Sequence, residues 1–146
     1  MKVLGSVLYG ADEQVIDFVC KRIPGMEPPE KAVGLGVLQD GKLVGGCVFS
    51  NFHGHSIEVS TATDSSTYLT RGMLDQMFGY PFRQLGCVRV TAITREDNVR
   101  TQKLLRGLGF TQEGRARKAW DGKHDAIIFG ILKEECRFLK DTPHNG

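Results

Sequence analysis

The feature that most constrains this chain is a change of hydrophobic period near residue 64. Before it, apolar residues follow a strand rhythm. Residues 32–38 and 43–51 flank Asp40-Gly41, a strong hairpin signal. A turn at Phe52-His53-Gly54-His55 then leads into Ser56–Thr63, which carries Ile57, Val59, Thr61 and Thr63 on one face. After Asp64-Ser65-Ser66 the spacing becomes helical: Leu69, Met73 and Met77 recur every four residues, with Leu74 and Phe78 beside them. This predicts a helix of about 12 residues, ended at Gly79-Tyr80-Pro81-Phe82. Residues 87–94 are β-branched and apolar, a strand again. Three antiparallel strands are therefore followed by a strand–helix–strand unit, which requires a parallel, right-handed crossover.

The flanking segments complete the pattern. Residues 1–10 read as one short first strand. Over residues 11–23, Val15, Ile16, Val19 and Ile23 share a helical face, with Asp12 as the expected N-cap and Pro24, Gly25, Pro28 and Pro29 as the stop. Asn98 and its neighbours open a helix carrying Val99, Leu104, Leu105 and Leu108, closed by Gly109. Residues 111–118 and Ala126–Leu132 read as strands joined through an Asp121-Gly122 turn, the second buried on both faces. The expected fold class is α/β (α+β): a mixed, mostly antiparallel sheet with helices on both faces and one parallel pair.

Composition sets limits on function. Nineteen Lys plus Arg against seventeen Asp plus Glu leave a net charge of +2, too mild to argue for nucleic acid or a membrane surface. No apolar run approaches the ~20 residues of a membrane span, and the N-terminus lacks a basic-then-apolar signal pattern. Cys20, Cys47, Cys87 and Cys136 are widely spaced and suit buried thiols of a cytoplasmic protein rather than a disulfide framework or a zinc site. The expectation is one domain over residues 1–139 and a polar tail over 140–146, with no metal and no membrane partner.

Ligands of open α/β sheets favour the carboxyl ends of parallel strands and outward-facing helix N-termini. Here that place runs from Thr61 to Gly72. Its small hydroxylated residues, the cation of Arg71 and the bare Gly72 suit either a pyrophosphate cradle or an ordinary Ser/Thr-rich N-cap. His53 and His55 could share a metal, but no third ligand is evident. Arg115, Arg117, Lys118, Lys123 and Arg137 form either an anion-facing cluster or a solvated strand face. Trp120 either lines a cleft or covers the core edge.

The run Asn98, Thr101, Leu104, Gly109 and Phe110, followed by Glu113-Gly114, resembles the N-x-x-A/S-x-x-L-x-x-x-x-G-F signature of the GNAT superfamily of acyl-CoA-dependent N-acyltransferases. The likeness covers roughly residues 33–133, and the order of elements resembles that fold. It is greatest to the branch of ribosomal-protein N-terminal acetyltransferases and small phage-encoded relatives. The resemblance implies a single-domain enzyme moving an acetyl group from acetyl-CoA to a primary amine, on a protein N-terminus, a lysine or a small molecule. It implies that Ser56–Thr63 is bulged and splays from the next parallel strand. The backbone of Thr61, Ala62 and Thr63 would then pair with pantetheine and hold the thioester oxyanion. Leu69, Thr70, Arg71 and Gly72 would cap the pyrophosphate, and Asn98 would lie near the pantetheine arm.

Two departures stand out. The family loop Q/R-x-x-G-x-G/A is matched only by its last glycine, Gly72, and the position where many members carry a tyrosine acid is Leu105, which cannot protonate a thiolate. Thr101 either hydrogen-bonds the leaving thiolate or fills an alanine-like slot. Glu58 either takes the proton of the incoming ammonium or pairs with Arg89 or a lysine across the sheet. Tyr68 and Tyr80 are further acid candidates. The departures also motivate an alternative, a non-catalytic CoA-binding or interaction module that keeps the fold. Dimerisation through the last strands is permitted by the apolar Ala126–Leu132 run.

Overall fold

The strand–helix–strand unit folds as its spacing predicts, and the rest of the sheet is built outward from it. The computed structural model describes residues 1–139, so the tail expected over 140–146 lies outside the described residues. In chain order the elements are β1 (Lys2–Leu4), β2 (Val7–Tyr9), α1 (Asp12–Cys20), β3 (Ala32–Gln39), β4 (Lys42–Ser50), β5 (Ser56–Thr63), α2 (Arg71–Gly79), β6 (Arg89–Arg95), α3 (Val99–Leu108), β7 (Thr111–Ala116) and β8 (Ala126–Leu132). They form one eight-stranded sheet, ordered β1-β2-β3-β4-β5-β6-β8-β7, in which only β5 and β6 are parallel. Among the described residues no helix is long and apolar enough to cross a membrane.

The two faces are filled differently. On one, Leu35, Cys47, Phe49, Ile57 and Val59 meet α2 and α3 through Met73, Met77, Phe78, Leu105 and Leu108. On the other, α1 lies close to the sheet because β3 and β4 carry glycine beneath it. A Cβ built on Gly34 would stand 2.7 Å from the Val15 Cβ, and one on Gly46 2.8 Å from its Cγ1. Val15, Phe18, Val19 and Val48 form the small core of that face. Asp40 and Gly41, with φ of 54° and 74°, make the tight β3–β4 turn.

Several local readings are corrected. Residues 1–10 are a hairpin of two strands rather than one strand: Gly5, at φ 62°, reverses the chain so that Leu4 pairs with Val7. Asp12 does not cap α1. Its carboxylate accepts the Gly34 N–H at 3.0 Å, while Ala11 takes the N-cap position without a side-chain bond, and the helix stops at Cys20. α2 ends at Gly79, inside the stretch expected to end it, but the chain does not become a loop there. The helix widens into a π-turn over Tyr80–Gln84, where Leu85 N–H reaches the Tyr80 carbonyl at 3.1 Å. β8 lies between β6 and β7, so most of its apolar run is buried within the sheet.

The parallel seam positions the site. β5 and β6 pair over only three positions, from Ser56 with Arg89 to Glu58 with Thr91, and then diverge. β5 stays with β4 as far as Thr63, in unbroken register, so the bulge expected in β5 is absent. The sheet is therefore forked beyond Glu58 and Thr91.

Candidate active site

Antiparallel ladders bond at every second residue, and one bond sets the phase along β5. Asp64 N–H donates to the Val44 carbonyl at 2.8 Å. The peptide groups of Ala62 and Ser60 consequently belong to the β4 ladder, while those of Val59, Thr61 and Thr63 turn into the fork. Of the three positions expected to present backbone to a ligand, Thr61 and Thr63 have peptide groups that turn away from the β4 ladder. Ala62 does not, and it packs instead against the core beneath α1. Across the fork, Glu96 N–H donates to the Asp125 carbonyl and Lys133 N–H to the Val88 carbonyl, at 3.0 Å each. The even-numbered residues of β6 are thereby committed to β8, and Ile93 faces the fork.

The fork opens into a cleft of about 1450 Å³, reached from both faces of the sheet. This exceeds the few hundred to about 1,000 Å³ of a typical small-molecule pocket, leaving room for a long ligand and a second reactant. On the α2/α3 side its wall includes Tyr80, Thr94, Asn98, Thr101 and Leu105. On the α1 side it includes Asn51, His53, Glu58 and Trp120, together with the loop around Pro28 and Pro29. Trp120 Nε1 donates to the Pro24 carbonyl at 3.0 Å, which ties the β7–β8 connection to the α1–β3 loop. Trp120 thus lines the cleft and braces it.

At the outer end of the fork stands the N-terminus of α2. Thr70 is its N-cap, with Oγ1 accepting from Met73 N–H at 3.2 Å, and Leu74 N–H donates to the Thr70 carbonyl. The N–H groups of Arg71 and Gly72 are the first-turn donors a helix cannot satisfy within itself. Both residues are exposed, and no side chain crowds Gly72. Leu69 is half-buried against the main core. The loop hydroxyls build the loop: Ser65 N–H donates to Thr63 Oγ1 at 2.9 Å and Thr67 N–H to Ser65 Oγ at 3.2 Å, while Arg22 grips Asp64 through two 2.7 Å bonds. The arrangement offers backbone donors and a cation to an anion.

Tyr68 and Tyr80 have different places. Tyr68 is buried, its hydroxyl donates to Thr61 Oγ1 at 2.9 Å, and Thr61 in turn donates to the Gly46 carbonyl at 3.0 Å. Burial pushes the Tyr68 phenol up to about 12, with Cys47 adding to the effect and Thr61 and Arg100 opposing it. Tyr80 lines the cleft, its ring 5.0 Å from that of Phe49. Burial, then Asp12 and Cys87, raise its phenol, so it remains a proton donor at neutral pH.

Glu58 does not pair with Arg89. That arginine is held by Glu113 through bonds of 2.5 and 2.9 Å lying over Gly130. The Glu58 carboxylate accepts from Asn51 Nδ2 and keeps its charge uncompensated by arginine. Asn98 caps α3, its Oδ1 accepting from Thr101 N–H at 3.2 Å, and both residues line the cleft. Leu105 is buried at the base. The late basic cluster is dispersed: Arg115 binds Glu96 and Asp125, and Arg137 donates to the Gly107 carbonyl at the end of α3. His53 and His55 are exposed, and no group of three potential metal ligands occurs among the described residues. Sequence reasoning missed Thr94, which lines the cleft, and nothing in the sequence marked it.

The sequence matches no protein-family model and no curated protein. Solved structures do match. A GNAT-family acetyltransferase from Bacillus anthracis superposes with a TM-score of 0.60 at 20% identity, over 72% of this chain and 68% of that one. A ribosomal-protein-S5-alanine acetyltransferase from Vibrio fischeri gives a TM-score of 0.60 at 20% identity, over 73% and 64%. RimJ of Mycobacterium smegmatis, in complex with CoA-disulfide, gives 0.60 at 23%, over 72% and 55%. The match thus spans less than two thirds of the length of the latter two. The forked eight-stranded sheet, with its single parallel pair and three helices, has the fold of the GNAT acetyltransferases.

Proposed function

We propose that this protein is an N-acetyltransferase that moves an acetyl group from acetyl-CoA to a primary amine by direct attack in a ternary complex. The observation that carries the reading is the fork itself. Beyond Glu58, the Val59 carbonyl and the peptide groups of Thr61 and Thr63 form a free strand edge that leads toward the N-terminus of α2. Acetyl-CoA has the matching chemistry: an extended arm with two amides, followed by a pyrophosphate. The arm pairs with the free edge of β5, and Arg71, with the Arg71 and Gly72 N–H groups, receives the phosphates.

The acceptor amine enters from the α1 side. Glu58, directly or through water, takes a proton from the ammonium so that the nitrogen lone pair can attack the thioester carbonyl carbon. Outward N–H groups of β5 stabilise the negative charge developing on the thioester oxygen. The carbon–sulfur bond breaks, and the leaving sulfur takes its proton from Tyr80 or from water, since Leu105 has none to give. Acceptors of this kind include a protein N-terminus, a lysine or a small amine, and the ribosomal-protein acetyltransferase among the similar structures fits the first.

Calorimetric titration with acetyl-CoA tests the reading. Micromolar binding is expected for the wild-type protein, weakened at least about tenfold in Arg71→Glu through loss and reversal of a charge at the phosphate end. Absence of both heat and a thermal shift in the wild-type protein would remove the reading. Leu105 favours a second reading, a CoA-binding module without turnover. Release of free thiol with any amine acceptor would exclude it.

A further inference from the structure

Thr94 stands on β6, three residues beyond Thr91, the last β6 residue paired with β5. Its side chain shares a face with Val90 and Ala92, both buried in the main core, and its register partner on β8 is Ile127. Thr94 itself is 4% exposed. Its Oγ1 is the one buried side-chain oxygen or nitrogen among the described residues with no hydrogen-bond partner in the protein. Such groups are rare in native proteins, because an unmade bond costs the full desolvation of the hydroxyl. Packing does not require the hydroxyl, since valine has the same branched shape and suits the apolar neighbours. The residue also lines the cleft, on the wall that includes Thr101 and Leu105 of α3. A bound ligand is then the partner that would satisfy it.

We propose that Thr94 Oγ1 donates a hydrogen bond to an amide carbonyl of the acyl-CoA arm, making Thr94 a cofactor-binding residue on the β6 side of the fork. The inference rests on the acyl-CoA reading above. An arm paired along Val59, Thr61 and Thr63 turns its remaining amide groups toward β6, where Ile93 contributes backbone and Thr94 the side-chain hydroxyl.

The test uses Thr94→Val, Thr94→Ser and Thr94→Ala in the full chain, with CoA and acetyl-CoA as titrants. Removing the hydroxyl in T94V should leave the free protein at least as thermally stable as wild type, yet weaken CoA binding about five- to tenfold, the worth of one hydrogen bond. T94S should restore the affinity, and T94A should repeat the loss with a smaller side chain. The opposite signs in T94V, stability kept or raised while affinity falls, are not produced by a merely structural threonine. Wild-type affinity in both T94V and T94A overturns the inference while leaving the acyl-CoA reading intact. So does a fall in turnover without any change in CoA affinity. A wild-type protein that binds no CoA removes the acyl-CoA reading and this inference together.

Discussion

In the proposed reaction the base is Glu58, and what distinguishes it is a contact it does not make. Arg89 is taken by Glu113, so the carboxylate at the fork's apex holds only the neutral amide of Asn51. A base of this kind needs to lie near the reacting nitrogen and be free to accept a proton. Glu58→Gln should therefore lower kcat about 100-fold while leaving acetyl-CoA affinity unchanged, as read by steady-state kinetics beside calorimetry; unaltered kcat would assign the proton transfer elsewhere. Residue types were partly legible in the sequence. Glu58, Asn98 and Thr101 were singled out and do reach one cleft. Ala62 was misplaced because a two-residue alternation cannot be phased without knowing which strand it pairs with. Thr94 was illegible because an unpartnered hydroxyl is a property of surroundings, not of spelling.

At the scale of elements, α1 against β3 and β4 shows how small residues fix a distance. Val15 sits over Gly34, Gly36 and Gly46. A methyl group on Gly46 would meet Val15 Cγ1 at 2.8 Å and the Leu35 carbonyl oxygen at 3.3 Å, one of them backbone that cannot yield cheaply. Gly46→Ala should destabilise the fold by about 1–3 kcal/mol, the usual cost of overpacking, measured as a lowered midpoint in urea. An unchanged midpoint would mean that α1 is free to lift. Long elements with strong periods were readable, β3, β4, β5 and α3 within a residue or two. The short pieces were not: a three-residue strand leaves no period to count, and Gly5 reverses the chain too soon for β1 and β2 to look like two. The end of α2 at Gly79 was readable, but the π-turn that follows was not, because a Pro-containing stretch reads locally as loop although the wider helical turn accommodates it.

Across the whole molecule, arginine–carboxylate pairs link distant segments, and they set the response to acid. Arg22 holds the Asp64 carboxyl below its ordinary range, and Arg89 does the same for Glu113. The Lys118 N–H, then Arg115, lower Asp125. A depressed folded value means that the deprotonated form favours the native state. The stability is fully present above the unfolded carboxylate range of about 4, and is lost as pH falls through the lower folded values. The melting temperature should hold level above about pH 5 and decline steadily below about pH 4, and Asp125→Asn should remove part of that decline. A melting temperature unchanged down to pH 2.5 would contradict the linkage.

The parallel crossover followed from counting elements. The splay was expected only from the family resemblance, since divergence after three pairs leaves no trace in hydrophobic pattern, and the place of β8 between β6 and β7 was not foreseen. The fork has a cost of its own. Two unpaired strand margins lie in the middle of the sheet, and open margins ordinarily recruit other chains into β-stacking. Here they are recessed, with α2 and α3 on one side and the Trp120–Pro24 brace on the other. The protein can therefore keep an adhesive seam open within its own sheet, shielded by flanking elements from the edge of a neighbouring one.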